Sequence, residues 1–214
     1  MNPLVTQTLS TAQTVIEIAA TGAFALSGVM EAARKRLDAV GIAVVAFLAA
    51  FGGGTLRDVL LDRRPFFWVA NPWYVWALLA LCVVAMLTLR ARHFRVTERA
   101  RQWPDALGLG LFAASGTQIA LAAQMPSLVA VLMGVMTAVF GGVLRDIVCN
   151  EIPSAFRDHR PYAVCAFVGG WVLVAIDRVA DLPTLALAVS ALVTTLFRAL
   201  AIRCNWTLPQ WRTD

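Results

Sequence analysis

Seven apolar runs of about bilayer length, separated by short arginine-bearing segments, restrict the fold of this chain more than any other feature. They fall at about 12–31, 39–61, 70–89, 104–123, 127–149, 161–177 and 183–202. A bilayer core takes roughly 20 apolar residues in a helix. In lipid, helices satisfy their own backbone hydrogen bonds. The runs therefore predict an all-α, polytopic membrane protein with seven transmembrane helices. Composition agrees: 59% of the 214 residues are hydrophobic and 14% are charged, where soluble domains carry roughly 25% charge. The net charge of +5 would suit a nucleic-acid binder. However, the arginines lie between apolar runs rather than in one patch, and Lys35 is the only lysine. No nucleic-acid partner is expected; the arginines read as membrane-flanking residues.

Arginine placement predicts the orientation. With the N-terminus outside, thirteen of the 18 basic residues lie on inside segments: Arg34 to Arg36, Arg90 to Arg101, Arg157 and Arg160, and Arg198 to Arg212. Three, Arg63, Arg64 and Arg178, lie outside, and Arg57 and Arg145 fall within spans. Cytoplasmic segments carry the excess of basic residues, so the N-terminus is expected outside and the C-terminus in the cytoplasm. No basic residue precedes Arg34, so the first run is expected to be a retained span rather than a cleaved signal. Trp68, Trp73, Tyr74, Trp103, Tyr162, Trp206 and Trp211 fall near span ends, as interface anchors do.

Displaced by 88 residues, the chain matches itself. Gly53-Gly54-Thr55-Leu56-Arg57-Asp58 falls on Gly141-Gly142-Val143-Leu144-Arg145-Asp146, and Pro65 on Pro153. In the same register Phe24 falls on Phe112, Ser27-Gly28 on Ser115-Gly116, and Glu17 on Asp105. One membrane domain of two repeats, 12–89 and 104–177, with an additional helix at 183–202, follows. Three spans per repeat is an odd number, so the second copy is expected upside down relative to the first. Inverted repeats of this kind build transport pathways at their interface.

Gly52, Gly53 and Gly54 lie within span two, and Gly141 and Gly142 within span five. Each glycine weakens a helix by about 1 kcal/mol. Such runs permit a break whose freed carbonyls line a pathway, or close packing of small residues. Arg57, Asp58, Arg145 and Asp146 follow within one turn. Ionisable groups inside spans face an interior or a water-filled cavity. They are expected either in a pathway and its gate or as a clamp between repeats. Glu17 and Asp105 open spans one and four and share helix faces with Ser27 and Ser115. They read as cation-concentrating mouth carboxylates or as helix-dipole acids. No CxxC pair, nucleophile or metal-ligand cluster converges, and no GK[ST] follows the glycines. The expectation is a non-enzyme without cofactor or metal.

The twin Gly-Gly-x-Leu-Arg-Asp blocks, the three-plus-three-plus-one spans and the N-out orientation resemble the trimeric intracellular cation channel family, prokaryotic branch. The resemblance covers about residues 12–202. It implies a homotrimer in prokaryotic inner membrane, a pore in each subunit, and permeant monovalent cations, chiefly potassium, with sodium. It also implies second and fifth helices kinked at the glycine runs, the fifth more mildly because Val143 interrupts the triplet. The animal members' lysine-bearing lipid motif has no counterpart here, so phosphoinositide binding is not implied. Membrane lipids remain partners, and the segment from Arg90 to Arg101 is suited to anionic ones. Some bacterial relatives are named as glycine transporters. A carrier for a small amino acid such as glycine is therefore the second reading, and a non-transporting scaffold the third.

Overall fold

The computed structural model describes residues 3–88, 98–157, 160–180 and 182–209. Arg90, Arg92, Arg95, Trp211, Arg212, His93 and His159 lie outside the described residues, as do the side chains of Arg99 and Arg157. Every element described is helical: α1 (Pro3–Arg34), α2 (Ala39–Leu60), α3 (Phe67–Ala70), α4 (Trp73–Thr88), α5 (Glu98–Ala122), α6 (Ser127–Val148), α7 (Ser154–Arg157), α8 (Ala163–Ala180) and α9 (Pro183–Arg203). Six of these helices are long and apolar enough to cross a membrane, and α4 is a shorter apolar helix. At 16 residues it rises about 24 Å. The protein is a polytopic membrane protein.

Local chemistry sets the helix ends. Asp38 caps α2, its Oδ1 accepting from the Gly41 amide at 2.7 Å. Pro183 opens α9, where a missing amide hydrogen is tolerated. Left-handed residues end five of the described helices: Asn205 at φ 50°, and in two pairs Arg36 at 56° with Gln124 at 61° and Asp62 at 50° with Asn150 at 54°. Both pairs obey the 88-residue register. The second pair closes with matching bonds, Arg63 N to Asp58 O at 2.8 Å and Glu151 N to Asp146 O at 2.9 Å, which satisfy carbonyls that a helix end leaves unbonded.

The centre is a bundle of α1, α2, α5 and α6, with α8 and α9 packed on the α5 side and α4 on α1 and α2. Its contacts are reciprocal. Phe24 stacks on Phe112 with ring centroids 5.6 Å apart. A Cβ on Gly28 would stand 2.8 Å from the Ala46 Cα, and one on Gly116 would stand 3.0 Å from the Gly134 Cα. Across the two halves, Gly53 abuts the carbonyl of Thr137 while Gly141 abuts the carbonyl of Ala49. Residue i meets j while i's counterpart meets j's counterpart, the pattern that a two-fold relation produces. Large apolar side chains face outward, among them Trp76, Leu87 and Val179, as lipid-facing residues do.

Both glycine runs lie inside uninterrupted α-helix, α2 through Gly52–Gly54 and α6 through Gly141–Gly142. The helices are not broken there, and the carbonyls expected to line a pathway stay within the helix. What the missing side chains allow is backbone-to-backbone approach of α2 and α6. At Gly53 and Gly141 the close-packing alternative describes the contact, and the reason is lateral: a neighbouring carbonyl occupies the space a Cβ would need.

Candidate functional site

Two buried ion clusters flank the α2–α6 crossing. In the first, Arg57 is 1% exposed. Its Nη1 donates to Glu17 Oε1 at 2.6 Å and its Nε to Asp58 Oδ1 at 2.9 Å. In the second, Arg145 is fully buried. Its Nη1 donates to Asp105 Oδ1 at 2.6 Å and its Nε to Asp146 Oδ1 at 2.8 Å. The two clusters have the same construction. Each arginine bridges its neighbouring aspartate and an acid 40 residues earlier.

The second oxygen of each aspartate holds a short helix. Asp58 Oδ2 accepts from the Phe67 amide, the first of α3, at 3.0 Å. Asp146 Oδ2 accepts from the Ser154 amide, the first of α7, at 2.9 Å, and from its hydroxyl at 3.1 Å. The Arg-Asp dipeptide thus ties a long helix to the acid on the preceding long helix and to the chain that follows. Each group sets one guanidinium against two carboxylates, and a further cation stands beside each aspartate, Arg63 in the first and Arg101 in the second, as burial of charge in low dielectric requires.

The repeats exchange serines. Ser27 accepts from Arg145 Nη1 at 2.6 Å and lies 3.5 Å from Asp105 Oδ1. Ser115 donates to Glu17 Oε1 at 3.4 Å. Each hydroxyl of one half therefore serves the cluster of the other. The structure brings together Glu17, Arg57, Asp58 and Ser115, and separately Asp105, Arg145, Asp146 and Ser27. Glu17 and Asp105 are not free carboxylates at two mouths; each is the ion-pair partner of a buried arginine. Gly142 floors the second cluster: a Cβ there would lie 3.3 Å from the Tyr162 hydroxyl, 3.6 Å from Arg145 Nη2 and 3.7 Å from Asp105 Oδ1. Gly54 abuts the Phe67 ring, over which the Arg57 guanidinium sits at 5.6 Å.

The clusters differ in access. Beside the first, the Arg63 side chain is 48% exposed and stands 3.6 Å from Asp58 Oδ1. The second continues through Arg101, 3.9 Å from Asp146 Oδ1 and 3.1 Å from Glu31 Oε2. Glu31 pairs with Arg34 at 2.6 Å, and Glu151 pairs with both Arg34 and Lys35. A chain of alternating charges thus runs from Arg145 to the end of α1.

Several of these residues departed from the sequence reading. Arg101, expected in a basic loop open to lipid, is buried against Glu31. Tyr74 and Tyr162, expected as interface anchors, are 5% and 2% exposed. The Tyr162 hydroxyl and Asp105 Oδ1 both border the space above Gly142. Both tyrosines obey the 88-residue register, which is the signal that could have found them. Arg198, expected at the inside end of the last span, is buried and donates to the Pro161 carbonyl at 3.2 Å. Its guanidinium lies 4.7 Å over the Tyr162 ring.

The chain is similar to known proteins over most of its length. The family model described as "Glycine transporter" matches twice, over residues 14–90 and 102–178. The UPF0126 inner membrane protein YadS of Escherichia coli (strain K12) is 37% identical over 204 residues, covering 93% of this chain and 96% of that protein. A UPF0126 membrane protein of Vibrio cholerae is 35% identical, covering 91% and 81%. The TRIC trimeric intracellular cation channel orthologue from Rhodobacter sphaeroides superposes with a TM-score of 0.85 at 34% identity, covering 92% of this chain and 100% of that one. A structure described as the basis for conductance through TRIC cation channels gives a TM-score of 0.82 at 31% identity, covering 94% and 98%.

Proposed function

The chain belongs to the family of the duplicated glycine-transporter domain, and on that premise we propose that it is a passive channel for monovalent cations, potassium and sodium. It works as a homotrimer with a pathway in each subunit. The observation that carries this reading is the full-length likeness, at 34% identity and a TM-score of 0.85, to a trimeric intracellular cation channel orthologue.

The architecture proposed has seven spans, α4 being the short one. Repeats at 12–89 and 104–177 are inverted, and α9 is added at 183–202. The odd number of spans per repeat, with α4 counted as the short one, and the reciprocal contacts at Gly53 and Gly141 support inversion. The chain lies in a prokaryotic inner membrane with its N-terminus outside and its C-terminus in the cytoplasm. On a background without native cysteines, a cysteine in the Arg34–Arg36 segment is expected to react only from the cytoplasmic side. Labelling from outside by an impermeant reagent would reverse the orientation.

The pathway follows the interface between the repeats, past the two arginine clusters. Two cationic guanidiniums would repel a permeant ion, but each is neutralised by two carboxylates. Asp58, Asp146, Glu17 and Asp105 therefore decide the sign of the field that an entering ion meets. Closely packed glycines and ion-paired, buried arginines make this a closed arrangement. Opening would require the guanidiniums to move, which makes Arg57 and Arg145 gate residues.

A glycine carrier is the second reading, favoured by the description of the family model. Purified protein in planar bilayers decides between them. We expect unitary currents whose reversal potential in asymmetric potassium chloride lies on the potassium side of zero. A reversal at the chloride equilibrium, or saturable glycine uptake without unitary steps, would refute the channel.

A further inference from the structure

We infer that the outer face of α1 around Gly22 is a contact between subunits, a notch that receives a transmembrane helix from a second copy of this chain. The inference rests on the homotrimer proposed above and names part of its interface. Gly22 and Gly110 correspond in the 88-residue register. At Gly110 the notch is filled within the subunit: a Cβ there would collide with the Thr195 hydroxyl and stand 2.5 Å from the Ala191 carbonyl, both on α9. At Gly22 a Cβ would meet nothing within 4 Å. The first repeat keeps the glycine that seats a helix on the second, and no helix among the described residues fills it.

Two further features point to an incoming protein element. Thr21 is 5% exposed, yet its hydroxyl has no hydrogen-bond partner among the described residues. It lines the same recess of about 130 Å³ as Gly22. Lipid tails offer a hydroxyl nothing, whereas small residues and hydroxyls are what pack and bond helices in a membrane. Around the notch, Val15, Ile18 and Leu26 are 58%, 39% and 42% exposed. With Gly22 they form one stripe at helical spacing. The recess is not a full copy of its counterpart, because Leu81 stands on α4 where Gly169 lets α9 approach α8. The incoming helix therefore seats on α1 at Gly22 and Thr21 and stands farther from α4 than α9 stands from α8.

The test places a photoreactive benzophenone amino acid at position 22 of the full chain in its native membrane. A second sample carries it at Val179, which is 88% exposed. Illumination is expected to give an adduct of twice the subunit mass from position 22 and none from position 179. If the bulk at 22 prevents folding, Leu26 on the same stripe reports the same contact. Native mass spectrometry of the unmodified protein separates the two claims. A trimer without an adduct from either α1 position overturns this inference alone, and a monomer overturns the trimer and the inference with it. Gly22→Leu should also remove the trimer while leaving a folded subunit; a trimer of unchanged stability would count against the notch.

Discussion

Replacing Arg145 with methionine should lower the stability of the fold by about 3–5 kcal/mol, the loss typical when one partner of a buried ion pair is removed. The substitution keeps most of the side-chain volume, so the effect is electrostatic rather than a cavity. Arg145 is fully buried and satisfies Asp105 and Asp146, which are 3% and 4% exposed, as well as Ser27. Without it two carboxylates face each other in low dielectric, and the Arg101 guanidinium, 3.9 Å from Asp146 and already paired with Glu31, cannot neutralise both. Arg57→Met should cost less. The Glu17 side chain is 15% exposed, and Arg63 stands 3.6 Å from Asp58, ready to take part of its charge. Arg145→Lys should fall between, because an ammonium lacks the planar fork that bridges two acids. Thermal unfolding in detergent, followed by size-exclusion fluorescence, would rank the three. Equal midpoints for Arg145→Met and the wild type would show that the second cluster does not hold the fold. Adding Asp105→Asn and Asp146→Asn to Arg145→Met should restore part of the loss, since the unpaired charges go with the arginine.

The spans were legible because lipid imposes a length. Runs read at 39–61, 127–149 and 183–202 became Ala39–Leu60, Ser127–Val148 and Pro183–Arg203. Where the helix leaves the apolar run, length no longer speaks: α1 begins at Pro3 and α5 at Glu98, in polar sequence with no transfer signal. The four-residue helices α3 and α7 were invisible for another reason. What positions them is a carboxylate eight or nine residues earlier, and a carboxylate inside a span reads first as a pathway charge. The register of 88 paired Glu17 with Asp105 and Arg57 with Arg145. It did not say that each arginine reaches its own acid, although the shared interval of 40 residues was in the sequence. The exchange of Ser27 and Ser115 between halves depends on how α1 and α5 cross, which no local pattern records.

Gly53→Leu should remove folded protein and transport in parallel, and Gly141→Leu should do the same. Sequence could not choose between a helix break and a helix contact at these glycines, because both need only the absence of a side chain. The neighbour decides. A Cβ on Gly53 would collide with the Thr137 carbonyl oxygen and lie 3.0 Å from its carbon; one on Gly141 would collide with the Ala49 carbonyl oxygen and lie 3.3 Å from its carbon. Neither obstacle is a side chain that can swing away; both belong to the backbone of the facing helix, so α2 and α6 must separate. Overpacking in a dense core costs about 1–3 kcal/mol where side chains can adjust, and a rigid backbone contact puts these two substitutions at or above the upper end. The flanking glycines give the contrast. A Cβ on Gly52 would meet only the flexible Leu144 Cδ1, at 2.6 Å, and one on Gly142 would find its nearest atom at 3.3 Å, the Tyr162 hydroxyl. Gly52→Ala and Gly142→Ala should therefore keep nearly full folded yield. Gly142→Ala should nonetheless change the unitary current, because its methyl presses on the Tyr162 hydroxyl and lies in contact with Arg145 and Asp105. Folded yield by size-exclusion fluorescence, set against single-channel recordings of the same preparations, separates the effects. A Gly53→Leu protein that folds at wild-type yield and fails only in conduction would return these glycines to the pathway.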